Sequence, residues 1–291
     1  MNDTKRKIKK RLRSLQSLPT LPPIVGKLTK LIGDENATAN QVAALIEKDQ
    51  VLTSKVLKMV NSAFYGFPRR ISTVSNAIVL LGFNVIRTLI ITASIFETMQ
   101  SNDLSLWEHS LGVAAASDIL ARKLELQNPE EVTTAGLLHD LGKVVIRTEF
   151  PDLYRKVIDL VRQKKIYFLE AEKDILGIDH GEIGRLLANQ WNLPERLLEP
   201  IAYHHEVHKA RKFKKETAIV HFADIMTRAE GYGSGGDPWV PPLHEKAWKL
   251  LKLTEEDLKE MIPIFEDRLL ELRFFTLEMQ DENYGKNSHS S

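Results

Sequence analysis

Eight of the chain's nine histidines fall between residues 109 and 244, none lies in the first hundred residues, and His289 sits in a polar tail. Within that span, Ala135-Gly-Leu-Leu-His-Asp-Leu-Gly-Lys143 sets an adjacent His139-Asp140 pair behind an apolar run, with Gly142 expected to end the helix. Neighbouring side chains on a helix diverge by about 100°. The pair therefore serves one site only if that site is wide, for instance two metal ions with a carboxylate between them. His109, His180, the His204-His205 pair and Asp224 are the other candidates. Asp224 stands in Ala218-Ile-Val-His-Phe-Ala-Asp-Ile-Met226, an apolar helical stretch where a buried carboxylate must be paired or metal-bound. His208, His221 and His244 read as ordinary surface or hydrogen-bonded core histidines.

The chain has no cysteine. That excludes disulfide scaffolds, thiolate zinc sites, cysteine nucleophiles and iron–sulfur clusters. A metal here is held by imidazole and carboxylate alone. Such a donor set suits one or two transition-metal ions, with iron or manganese fitting best and nickel or zinc compatible. Lys plus Arg number 40 against 39 Asp plus Glu, a net charge of +1, which argues against a protein that coats DNA. No DNA partner is expected.

The elements that must position these residues read as helices nearly throughout. Thr38-Ala-Asn-Gln41 is a capping box, Asp49 can cap the next helix, and Ser72 a third that breaks at Gly82. Asn61-Ser62 reads as a cap and turn. A proline-rich turn at 18–23 precedes a helical face at 24–32. Beyond residue 102, helices are expected at 104–124, 129–138, 151–164, 168–177, 180–191, 194–205, 216–229, 243–252 and 255–271. Asn128 is the expected N-cap of the second, with Pro129 at its first position. No strand alternation exceeds four residues, so the fold class is all-α. The expected division is an N-terminal helical part over 1–102, a metal-binding helical domain over 103–279 and a polar, frayed tail over 280–291.

Gly231-Tyr-Gly-Ser-Gly-Gly236 satisfies a dinucleotide fingerprint but follows a helix and runs into Asp237-Pro238, so it reads as a flexible loop. The basic stretch at 5–13 carries seven Lys or Arg and reads as a solvated helix face. The start of the chain lacks the apolar core of a targeting signal. The longest apolar stretch, at 77–96, is interrupted by Asn84, Arg87 and Thr88, so no membrane span is expected. A cytoplasmic, reducing location is the matching expectation.

The order His109, His139-Asp140, Asp224 resembles the signature of the HD phosphohydrolase superfamily. His180 and His204-His205 resemble the second-metal ligands of its HD-GYP branch. By that resemblance His109, His139, Asp140 and Asp224 would hold one metal, and His180, His204 and His205 the other. Asp140 would bridge the two, and Lys143 would contact a phosphate. In phosphodiester hydrolysis two metals about 3.5–4 Å apart can activate water and clamp the phosphate. Lys143 would offset charge developing on the phosphate oxygens.

The N-terminal part is similar to the HDOD family, the HD-related output domain. The similar segments are Leu18-Pro-Thr-Leu-Pro-Pro, Ile46-Glu-Lys-Asp-Gln-Val-Leu-Thr-Ser-Lys-Val-Leu, Val60-Asn-Ser-Ala-Phe-Tyr-Gly and Ile71-Ser-Thr-Val-Ser-Asn-Ala-Ile-Val-Leu-Leu-Gly. This resemblance implies a bacterial signalling output protein that works through a protein partner and keeps its His/Asp metal site. The alternative it leaves is a metal-dependent phosphohydrolase acting on a nucleotide or cyclic nucleotide.

Overall fold

Helix boundaries in the computed structural model follow caps, prolines and glycines. It describes residues 3–14, 37–63, 65, 67, 69–100 and 104–287, with single positions 24, 27, 28 and 31 between. The turn expected at 18–23, most of the helix expected over 24–32 and the boundary near 102 lie outside the described residues. The N-terminal helices are α1 (Asp3–Ser14), α2 (Ala39–Ile46), α3 (Gln50–Val60) and α4 (Val74–Gln100). They are followed by α5 (Leu104–Lys123), α6 (Pro129–Leu138), α7 (Leu141–Glu149), α8 (Pro151–Lys164) and α9 (Phe168–Leu176). The series closes with α10 (His180–Gln190), α11 (Glu195–Tyr203), α12 (Lys214–Ala229), α13 (Glu245–Leu251) and α14 (Glu255–Asn287). No strand occurs among the described residues, so the chain is all-α.

The capping box at Thr38 forms in both directions, and Asp49 caps α3 through the Leu52 amide at 3.0 Å. Two expected caps differ. Thr73, not Ser72, caps α4, taking the Asn76 amide at 3.1 Å. Asn128 occupies the N-cap position of α6 but its side chain makes no cap bond. Gly82 kinks α4 with φ 79°, where the break was expected. The Val74–Ala93 segment is long and apolar enough to cross a membrane, but its residues are mostly buried in this fold. The last helix runs to Asn287, past the expected end at 271 and into the segment expected to fray.

Helix α5 is buried nearly all round from Leu106 to Ala121, the pattern of a central helix, with α6, α12 and α14 packed against it. One hydrophobic cluster runs from Ile8 to Leu272. The N-terminal helices join it through specific polar contacts. The Tyr65 hydroxyl lies 3.1 Å from Thr134 Oγ1 on α6, and Arg122, bound to the buried Asp118 carboxylate at 2.9 Å, donates to Tyr65 O.

The basic helix α1 is less solvated than its charges imply. Ile8 and Leu12 are buried, each burial worth about 1.5–3 kcal/mol. Lys5 and Lys9 reach Glu182 at 3.1 and 2.6 Å, and Arg11 reaches Glu149 at 2.9 Å. Partly exposed ion pairs of this kind contribute about 0–1 kcal/mol each, so the apolar face fixes the helix and the charges set its register.

Candidate metal centre

His139 and Asp140 do not share a helix. His139 closes α6 and Asp140 opens α7, so the chain turns between them and both side chains face one centre. Gly142, expected to stop the helix, lies inside α7 and serves a different purpose. A Cβ there would lie 2.0 Å from His180 O, so only glycine lets the start of α10 sit against α7. That contact brings His180 beside Asp140.

All seven residues singled out as ligands converge. Asp140 Oδ2 lies 3.3 Å from His139 Nε2 and 3.7 Å from His109 Nε2, while Oδ1 lies 3.3 Å from His180 Nε2 and 4.0 Å from His204 Nε2. Asp224 Oδ1 is 3.1 Å from His109 Nε2. On the other side His180 Nε2 stands 3.2 Å from His204 Nε2 and 3.1 Å from His205 Nε2. Three overlapping clusters result: His109, His139 and Asp224; His139, Asp140 and His204; His180, His204 and His205.

The donor atoms fit a cation. His139 donates through Nδ1 to Gly136 O at 2.7 Å, His204 to Ile201 O at 3.0 Å, and His180 to Glu172 Oε2 at 2.6 Å. Each such bond fixes the tautomer that leaves the Nε2 lone pair facing the centre. Two lone pairs 3.2 Å apart, on His180 and His204, repel unless a positive charge lies between them. His109 Nε2, His139 Nε2 and Asp140 Oδ1 are buried and make no hydrogen bond. Buried polar atoms left this way cost about 1–3 kcal/mol each, which a metal ion would remove.

The electrostatics favour the ligand forms. Burial lowers the His109, His180 and His205 pKa values below the ordinary imidazole range and takes His204 to about 3, so these rings are neutral. Burial alone would raise Asp140. Positive charge beside it, the Lys143 ammonium included, outweighs that and holds the carboxyl well below its usual range. Asp224 is likewise held down against burial, by the Arg228 guanidinium. Lys143 Nζ sits 2.7 Å from Asp140 Oδ2 and 5.3 Å from the centre of the Phe168 ring.

Three supporting residues have no sequence motif of their own. Glu172 takes both the Nδ1 proton and the backbone amide of His180, at 2.6 and 3.1 Å. Arg228 bonds Asp224 at 3.0 Å and Asp237 at 3.0 Å. His221 donates through Nδ1 to His204 O at 2.6 Å and accepts the His244 amide at Nε2, the hydrogen-bonded core role expected of it. The one signal in the sequence is periodicity: Arg228 lies one turn beyond Asp224, and such pairs meet on a helix. The loop expected to be flexible is packed instead. Gly233, at φ 66°, lies where a Cβ would come within 2.3 Å of His109 N, so the loop braces the first turn of α5.

A cavity of about 360 Å³ opens onto this centre. His180, His205, Lys143 and Arg228 line it together with the aromatic Tyr167 and Phe168.

The model of the HDOD domain matches residues 18–207, and the chain belongs to the HDOD family. An uncharacterized protein of Treponema pallidum (strain Nichols) is 28% identical over 225 residues, 74% of this chain and 43% of that protein. The chain thus spans under half the length of that relative. The crystal structure of an HDOD domain protein of unknown function from Geobacter sulfurreducens is 29% identical. It has a TM-score of 0.71 and covers 94% of this chain and 97% of that one. A protein from Shewanella amazonensis SB2B, named as a candidate phosphohydrolase, is 24% identical with a TM-score of 0.69 over 92% of this chain and 97% of that one, a likeness of fold.

Proposed function

We propose that this HDOD protein is a metal-dependent phosphohydrolase acting on a phosphate ester of nucleotide size. The observation that carries this reading is the cavity of about 360 Å³ that reaches His180, His205, Lys143 and Arg228. A site that served only to staple helices would need no chamber beside it. His109, His139, Asp140 and Asp224 would hold one metal ion and His180, His204 and His205 the other, with Asp140 shared. Bound iron or manganese would supply Lewis-acid polarisation and a water of lowered pKa. Lys143 would release Asp140 to a metal and turn its ammonium toward a phosphate oxygen, where charge develops in the transition state. Phe168 and Tyr167 would hold the organic part of the substrate and exclude water. Arg228 would keep Asp224 ionised and oriented.

A second reading is a regulatory protein, working in the cytoplasm through a signalling partner, whose metal ions hold the helices together. The burial of Asp140 and Lys143, each 1% exposed at the side chain, favours it. The deciding experiment loads the full chain with manganese or iron and screens nucleotides and cyclic dinucleotides for hydrolysis by chromatography. Turnover that vanishes in Asp140→Ala supports the enzyme. Turnover no greater than that of the variant, in protein shown to carry metal, leaves the regulatory reading.

A further inference from the structure

A second cavity, of about 370 Å³, lies where the start of α5 meets α14, beside the loop at 231–233. Ser105, Glu108, Tyr232, Arg273, Thr276 and Leu277 line it. Its two charged side chains, Glu108 and Arg273, form no ion pair among the described residues. Glu108 is partly buried, and among the described residues its carboxylate has no hydrogen-bond or ion-pair partner. Tyr232 is only 2% exposed, yet its hydroxyl makes no hydrogen bond. Thr276, also in the lining, gives its own proton to Leu272 O at 3.0 Å. The Arg273 guanidinium stacks over the Tyr232 ring, 5.7 Å from its centre. It too has no ion-pair partner among the described residues.

Opposite charges that flank one cavity without closing on each other select their ligand. A phosphate is repelled by Glu108, and a divalent cation by Arg273. A molecule carrying both an ammonium and a carboxylate satisfies each, and a hydrogen bond to an ionised group is about twice as strong as a neutral one. The buried Tyr232 hydroxyl supplies a further partner, and Leu104 and Leu277 offer apolar surface to a side chain. The volume is at the small end of the range for small-molecule sites, about 300–1,000 Å³. We infer that this cavity binds a small zwitterion of the α-amino acid class, its ammonium on Glu108 and its carboxylate on Arg273. The inference stands whether or not the metal centre is catalytic.

The test uses the full chain and each standard amino acid singly, by thermal shift and then calorimetry. At least one aliphatic amino acid should raise the melting temperature saturably. Its N-acetyl and amide derivatives, each lacking one charge, should not. Glu108→Gln and Arg273→Gln should each weaken the affinity about 10-fold or more. The inference is overturned if no amino acid shifts the melt, or if the blocked derivatives bind as well as the parent. Full affinity in Arg273→Gln, an exposed position with no part in the core, overturns it equally.

Discussion

Glu172 Oε2 lies 2.6 Å from His180 Nδ1 and also accepts the His180 amide, so one buried carboxylate fixes both the ring and the backbone of the first residue of α10. The imidazole cannot rotate its Nε2 away from the centre while that pair of bonds holds. Removing an outer partner of a ligand histidine typically costs 10–100-fold in metal affinity. Glu172→Ala should lose about that much, and Glu172→Gln, which can still accept both protons, should lose less. Chelator competition measures it, and equal affinity in all three proteins would show that Glu172 has no part in orienting His180.

Asp140→Ala separates a shared ligand from an ordinary buried aspartate. The variant should purify with little metal, while the wild type retains it. Metal binding stabilises the native state by about 4 kcal/mol when the ion is 1,000-fold above its Kd. Chelator should therefore lower the wild-type melting temperature and leave that of the variant nearly unchanged. Full metal content in Asp140→Ala, together with a wild-type melt indifferent to chelator, would falsify the assignment.

Lys143 has a different expected signature. Lys143→Met keeps the apolar stem over Phe168 and removes the ammonium that neighbours Asp140. Metal content should stay near that of the wild type. Any phosphoester turnover should fall by about 10²–10³-fold, the range found when one donor to a developing oxyanion is removed. Loss of metal in this variant would assign the lysine to holding the site together instead.

The pH dependence of the chelated protein follows from the histidines. Their folded pKa values are depressed, to about 3 for His204, whereas the unfolded rings titrate near 6.5. Below that value the unfolded state binds more protons than the native state, so stability rises with pH through this window and is lost as pH falls. His109, His180 and His205 act in the same direction. The melting temperature should be level above about pH 7 and fall on acidification to pH 5, more steeply than the ~1.4 kcal/mol per unit that one group gives. A melt unchanged from pH 7.5 to 5 would mean that the rings are protonated in the native state.

Gly142→Ala tests the packing that builds the site. A methyl group 2.0 Å from His180 O cannot be accommodated unless α7 and α10 separate. The variant should lose about 1–3 kcal/mol of stability, the usual cost of overpacking, and its metal affinity should drop because His180 moves away from Asp140. Unchanged melting and metal content would mean that the two helices are free to part.

The helices are legible wherever a cap or proline punctuates the sequence, as at Thr38, Asp49, Pro129 and Pro151. The candidate ligands are legible because imidazoles are dense in one span and are interleaved with aspartates on apolar helices. Their supports are not. Glu172 reads as an exposed helical acid until α9 is folded against α10, and nothing in Phe168-Leu-Glu-Ala-Glu-Lys173 tells which glutamate faces inward. Gly142 reads as a helix stop because glycine's commonest role is local, whereas its role here is set by a segment nearly forty residues away. The loop at 231–236 reads as flexible for the same reason: Gly233 is required by close approach to α5, Gly235 by the Arg228 side chain and Gly236 by the Phe168 ring, tertiary causes invisible in composition.

The joint between His139 and Asp140 has one more consequence. Asp140 stands at the amino end of α7, where the helix macrodipole presents about half a positive charge and steadies an anion. With Asp224 also ionised and the rings of His109, His180, His204 and His205 neutral, those ligands have already shed the protons that would compete with a metal. Metal uptake usually releases protons in step with the ligands that must lose them. Here these six candidate ligands would contribute few protons near neutrality, so the binding of an ion to them would be little taxed by competing protons.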